Sequence, residues 1–304
     1  MLKLAFLSLA VVAVGLVAAG FWQHFRYLEI RRERVDDHQP LVHGGGVFHG
    51  VVLLKVADGV GREGELMALR AARDAIEAGG GMLVYAGLVV QTMVPSTQLE
   101  NDWSAAILAQ YPSREAFDRN HESPELKHAL QQSERSHVHG FERSALTNLL
   151  IPLGLGGVRL IDIALRRDNI LPFEPVSEED ALPQLRQRGR EMLGRFDAYR
   201  DVREDAVVIF NLLLPGTPDQ RAADRAYGYQ MMRGMAEGGY GPMHMGRAVT
   251  VEGDSRFSSF AAVYYPGIDH MQAMLGSTFM NRIASGKQLG DTLAFATIPV
   301  LSKL

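Results

Sequence analysis

Cysteine is absent from all 304 residues. That excludes disulfide staples, thiolate nucleophiles and cysteine-ligated zinc or iron–sulfur centres, and it leaves either side of a bacterial membrane open as a compartment. Excess positive charge is missing too, since 31 Lys and Arg stand against 35 Asp and Glu, a formal net charge of −4. Without a basic field to hold phosphates, no nucleic-acid partner is expected. No Ser-His-Asp order, Walker loop, HExxH helix or paired-carboxylate motif occurs either, so no catalytic residue is assigned and no cofactor is implied. What remains is a globular mixture, 47% hydrophobic and 22% charged, long enough for two ordinary domains.

The chain is organised by a repeat. Trp103–Phe117 (WSAAILAQYPSREAF) returns 154 residues later as Phe257–Met271 (FSSFAAVYYPGIDHM). Each copy is an apolar run, then Tyr-Pro, a small residue and a short helical pattern. Around the first copy, Val47–Val56, Met82–Gln91 and Ser104–Tyr111 read as strands, Val138–Leu150 holds the fourth, and Leu66–Ile76 reads as a helix stopped by glycines at 79–81. Pro112 starts a second helix with Ser113 and Glu115 at its cap, broken at Ser123-Pro124. Around the second copy, the strands are Ala206–Leu214, Met243–Glu252, Arg256–Tyr264 and Thr292–Leu301. Thr217-Pro218-Asp219-Gln220 is a capping box with proline at the first helical position, and Gly238-Gly239 ends that helix. Pro266 begins the next. The order is β-α-β-β-α-β twice.

Ahead of this lies Leu4–Trp22, nineteen residues without a charge, about 28 Å as a helix. Phe21, Trp22 and then Arg26, Arg31, Arg32 and Arg34 suit an interfacial belt. The expectation is an uncleaved single-pass anchor in the inner (cytoplasmic) membrane, with the body in the cytoplasm by the arginine bias. A periplasmic body and a signal peptide cleaved near Val17-Ala18-Ala19 are the alternatives. The domains read as 1–37 anchor and juxtamembrane helix, 38–46 linker, 47–152 first half, 153–204 connector with an amphipathic helix, and 205–304 second half. In the connector, Gly154-Leu155-Gly156-Gly157 lacks the dinucleotide fingerprint and reads as plain connection.

Strands such as AVVIFNLLL are apolar at nearly every position, so both faces of each sheet need cover. Helices supply one cover. The other half of the chain supplies the second, with the sheets about 10 Å apart. The fold class expected is therefore α+β.

Asp205–Leu213 followed by Tyr227-Gly228 and Gly239 resembles a half of the ferredoxin-like dimeric α/β-barrel superfamily. So does Tyr111-Pro112-Ser113-Arg114-Glu115-Ala116-Phe117 with Ser123-Pro124-Glu125-Leu126. Within that superfamily the chain is similar to domain-of-unknown-function family 1330. The resemblance implies two ferredoxin-like repeats packed as a pseudo-dimeric barrel, each enclosing a small pocket between sheet and helices. It does not select a chemistry.

Asn211 is polar in an apolar strand and needs partners if buried. Tyr227, His244 and Tyr264 are the candidates to meet it, as a ligand-binding site for a small apolar or aromatic molecule. The bland reading is an amide satisfied by backbone. The first half carries Lys55 at the Asn211 position, so the site is expected in the second half only. His137 and His139, with Glu134 and His128 nearby, could hold a metal, but no third ligand is fixed and a solvated turn is expected. His43 and His49 beside the glycine linker, and His270, read as exposed. Met231, Met232, Met235, Met243, Met245, Met271, Met274 and Met280 serve as core filler or as an adaptable apolar pocket. Three functions follow: a membrane-anchored small-molecule binder, a cofactor-independent oxygenase or isomerase using Asn211, Tyr227 and His244 on an aromatic or ketone substrate, and a structural docking module at the membrane.

Overall fold

A computed structural model describes residues 2–34, 47–287 and 290–304, with side chains from residue 10 onward. The linker expected at 38–46, with His43, lies outside the described residues, as do the first side chains of the expected anchor.

Helix α1 (Leu2–Arg32) precedes β1 (Phe48–Lys55), α2 (Gly61–Ala78), β2 (Met82–Val94), β3 (Ala105–Tyr111), α3 (Arg114–His121), α4 (Pro124–Leu130) and β4 (Arg135–Glu142). Next come α5 (Ala145–Ala164), α6 (Pro183–Ala198), β5 (Val207–Leu213) and α7 (Pro218–Gly238). The chain closes with β6 (Gly241–Thr250), β7 (Ser259–Tyr265), α8 (Ile268–Leu275), α9 (Thr278–Ala284) and β8 (Leu293–Pro299). The capping box at Thr217 is formed in both directions, and Ser113, Ser123 and Ser277 cap α3, α4 and α9. These local signals act within one turn of chain, which is why they are legible in sequence.

The strands form one closed antiparallel barrel in the order β1-β3-β2-β8-β5-β7-β6-β4. Read around the ring, β4-β1-β3-β2 and β6-β7-β5-β8 each hold the strands of one half of the chain. The expected α+β barrel is thus closed, with the two strand groups joined edge to edge. The halves share hydrogen-bonded seams, Gly87↔Pro299 to Val94↔Ala294 between β2 and β8, and His139↔Thr250 to Glu142↔Arg247 between β4 and β6. Closure leaves no sheet edge with unpaired backbone, which separate sheets would expose.

Inside the ring, aromatic side chains fill the space. Phe210 stacks on Phe295 at 5.4 Å and meets Phe260 edge-on at 5.5 Å, and Phe260 stacks on Phe141 at 4.6 Å. Tyr85 donates or accepts a 2.6 Å hydrogen bond with Thr297 across the interior. The outer face is covered by helices. Strands buried on both faces lose the alternation of a half-wet sheet.

Three expectations are corrected. The fourth strand, β4, starts earlier than expected and ends at Glu142, and residues 145–164, where the end of the first half and a plain connector were expected, form helix α5. Ser144 caps α5 by accepting the Thr147 amide, and the apolar run is long enough for a helix. The glycine-rich run at 154–157 is inside that helix: a Cβ on Gly156 would sit 2.6 Å from the Ala19 carbonyl carbon, so glycine lets α1 and α5 touch backbone to backbone. Finally, the last turns of α1 belong to the body. Tyr27 is fully buried edge-on against Tyr264 at 5.8 Å, Arg31 donates to the Tyr27 hydroxyl at 3.0 Å, and Arg34 pairs with Asp205.

Candidate functional site

α2 lies flat on its sheet. Leu66, Leu69, Ala72, Ala75 and Ile76 are buried from its second turn to its last. α7 behaves differently: its buried residues, Met231 and Gly234 to Glu237, are confined to its last two turns. Its earlier turns stand off the outer face of β5 and β7, and the gap is a cavity of about 540 Å³.

Ile209, Asn211 and Leu213 of β5 and Ala261, Val263 and Tyr265 of β7 form the floor. These positions alternate along each strand and pair across it, Asn211 with Ala261 and Ile209 with Val263, so all share one face. Met231, Met235, Met271, Met274 and Met280, from α7, α8 and α9, supply the walls. Their thioethers give a polarizable lining that adapts to a flat ligand. Met243, in contrast, is buried outside this lining.

One end of the cavity is polar. Asp224 and Tyr227 of α7, Arg188 of α6 and Lys287 after α9 gather there. The Lys287 ammonium lies 5.4 Å from the centre of the Tyr227 ring. Burial lowers the Lys287 pKa, the Arg188 charge lowers it further and Asp224 opposes both. Burial pushes the Tyr227 phenol up to about 12, with Asp224 adding to the rise. The Asp224 carboxyl is raised by burial, with Lys287 acting against it. A cation held in a partly dry site beside a phenol can anchor an oxygen of a ligand and exchange a proton with it.

Of the four residues expected at the site, two are here and two are not. Asn211 and Tyr227 line the cavity. The Asn211 amide also donates to the carbonyls of Ile209 at 3.2 Å and Ala261 at 3.3 Å, so backbone satisfaction and cavity lining both hold. His244 and Tyr264 point into the barrel, on the opposite face of the sheet. His244 is fully buried, 5.3 Å from the His49 ring, with Arg143 Nη1 2.9 Å from its Nδ1. Tyr264 is fully buried against Tyr27. Arg188 and Lys287 escaped notice because they follow other elements in sequence and meet the cavity only in three dimensions.

The Lys55 counterpart is corrected by register. On the expected 154-residue offset Ile107 corresponds to Ala261; Ile107 pairs with Val52, and Ala261 pairs with Asn211. Asn211 thus corresponds to Val52, and Lys55 falls at the opposite parity of the strand.

The histidines are corrected as well. His137, His139 and His49 are buried on inward-facing positions of β4 and β1 instead of lying on a solvated turn. His137 Nδ1 is 3.7 Å from a Glu252 carboxylate oxygen. Burial lowers both the His137 and His139 pKa values to about 4. Among the described residues no group of three or more His, Cys, Asp or Glu is arranged to hold a metal ion. His270 is half-buried, its ring 4.6 Å from that of Tyr240 and 5.2 Å from that of Phe173.

No protein-family model matches the chain, domain-of-unknown-function family 1330 included, and no curated protein matches it. Solved structures do. A dimeric protein of unknown function and ferredoxin-like fold from Bacteroides fragilis is 19% identical over 33% of this chain and 100% of its own, with a TM-score of 0.24. An anthrone oxidase-like protein is 10% identical over 85% of this chain and 92% of its own, with a TM-score of 0.45. A mutant chlorite dismutase from Candidatus Nitrospira defluvii is 6% identical over 85% and 94%, with a TM-score of 0.39.

Proposed function

We propose that the second half of the chain binds a small, flat, mainly apolar molecule carrying one hydroxyl or carboxylate. The observation that carries this is the cavity under α7: five methionines in its walls, Asn211 in its floor, and Lys287 5.4 Å from the centre of the Tyr227 ring to meet an oxygen-bearing end. The protein is held at a membrane by the uncharged run of α1, and its barrel is two copies of one ferredoxin-like repeat, as in the family 1330-like resemblance. Calorimetric titration of the purified chain with 2-naphthoate tests the binding. Saturable binding is expected, and Met274→Trp, which fills the cavity, should abolish it without lowering the melting temperature. Absence of saturation, or equal binding by that variant, would sink the reading.

A second reading, an oxygenase or isomerase without a cofactor, keeps Asn211 and Tyr227 and replaces His244 by Lys287 as the proton-accepting group. The lowered Lys287 pKa favours it. Turnover of hydroxyaromatic substrates that rises with pH and disappears in Lys287→Met would support it; turnover untouched by that change would not.

A further inference from the structure

We propose that α1 does not meet the bilayer alone: α1 and α5 form one lipid-contacting plate. The two helices run antiparallel, with Gly20 against Leu153, Ala19 against Gly156 and Leu16 against Gly157. Their outward residues are apolar and uncovered. Val14, Phe21 and Phe25 of α1 are exposed by 69%, 60% and 63%, and Leu150 and Ile161 of α5 by 55% and 47%. Among the described residues, α5 is the one helix long and apolar enough to cross a membrane by length and composition.

Charge separates the faces of α5. Its only charged residues, Arg159 and Asp162, both turn towards α7. Asp162 accepts from Arg233 Nε at 2.8 Å and Arg167 Nη1 at 3.2 Å, and Arg159 lies 3.9 Å from the Glu237 carboxylate. The outer face of α5 therefore carries no charge. At the ends of the pair, exposed Arg32 follows the apolar part of α1, next to Glu29 and Glu33, and exposed Arg166 follows α5, whereas Arg34 and Arg167 are paired with Asp205 and Asp162. Arg32 and Arg166 are placed to meet anionic headgroups at the two ends of an apolar surface that hydrocarbon would cover.

A second copy of the chain fits less well. From residue 10 to 18, α1 is exposed at every position except Gly15, which is half-buried. A protein partner covers one side of a helix, whereas acyl chains surround it. The segment is continuous with the α5 face, so the occupant of one is the occupant of both.

The proposal rests on the anchor reading of α1 and adds α5 to it. The absence of cysteine lets single nitroxide labels be placed directly at Leu150→Cys, Ile161→Cys, Val14→Cys and, as a control on exposed α2, Met67→Cys. The full chain is reconstituted in vesicles of phosphatidylcholine and phosphatidylglycerol, and relaxation by oxygen is compared with relaxation by a water-soluble nickel chelate. The oxygen-to-nickel ratio should exceed that at Met67 several-fold at all three plate positions. A high ratio at Val14 with a water-like ratio at Leu150 and Ile161 would overturn the plate and leave the anchor standing. Water-like ratios at all three would overturn both. Shielding of the α5 labels from both reagents, with spin–spin broadening between copies, would assign the face to a dimer and overturn the proposal.

Discussion

Helices α2 and α7 hold corresponding places over two strand groups arranged alike, yet they treat the space beneath them in opposite ways. In the first half the outward row of β1 is Phe48, Gly50, Val52 and Leu54, and α2 lays a buried leucine and alanine face on its sheet. The ring of Phe117 from the neighbouring α3 closes over Gly50 so tightly that a Cβ there would lie 2.8 Å from it. Under α7 the matching row carries Asn211, and the helix faces it with flexible methionines, Asp224 and Tyr227. A leucine and alanine face interdigitates with a sheet and excludes solvent. A helix whose first turns carry charge and phenol cannot bury them without partners, so it stands away from the sheet. The first half does own a cleft of about 440 Å³, but it lies at a strand end and is lined by Lys55, Asp58, Glu65, Asp102 and Arg195. Its contents are paired among themselves: Lys55 with Asp58 at 2.8 Å, and Tyr199 donating to Glu65 at 3.0 Å.

The halves differ inside the barrel too, and there the largest effect is expected. The first half contributes His49, His137 and His139 to the interior, whereas the second contributes Phe210, Phe260 and Phe295 with His244. With folded pKa values of about 4 for His137 and His139 against an ordinary 6.5, the unfolded chain binds more protons between those limits. Stability is complete above pH 6.5 and falls as pH drops towards 4, by at most about 3 kcal/mol for each histidine. Urea unfolding from pH 7.5 to 4 should show that loss, and His137→Gln with His139→Gln should flatten it.

Next in size is the contrast between the two helices. Leu69→Ala under the closed helix should cost about 3 kcal/mol, and Met231→Ala beside the cavity about 1 kcal/mol, because the second removes fewer close contacts. Equal losses in chemical denaturation would show that α7 packs as tightly as α2. Asn211→Val, which copies Val52, should change stability by less than about 1 kcal/mol and weaken 2-naphthoate binding about tenfold in calorimetry. The smallest effect is that of Lys287→Met. The Lys287 pKa is lowered on folding, so its charge opposes folding at low pH and ceases to do so as pH rises towards the ordinary lysine value of 10.5. The variant's gain in melting temperature should therefore be larger at pH 6 than at pH 10.

Much of this frame was legible along the chain. The Thr217 capping box, the serine caps and the repeated Tyr-Pro each specify structure within a few residues. The continuously apolar strands required cover on both faces, which a closed barrel under helices provides. Misreadings arose where one pattern serves two structures. Val138–Leu150 joins a strand to the first turns of α5, and a short apolar run does not distinguish them. His137 and His139 sit in a polar segment, but their parity on β4 sends both inward. Asn211 was aligned to Lys55 by chain offset, and a slip by an odd number of residues exchanges the two faces of a strand.

By itself the sequence determined most of the strands, the capped helix starts and the absence of thiol chemistry, since caps, turns and hydrophobic periods act over one or two turns of chain. Tertiary structure alone decided which face of each strand meets the barrel interior, that α5 lies against α1, and that Lys287 and Arg188 arrive beside Tyr227. Those facts depend on register and on contacts between residues distant in the chain, and no local propensity encodes them.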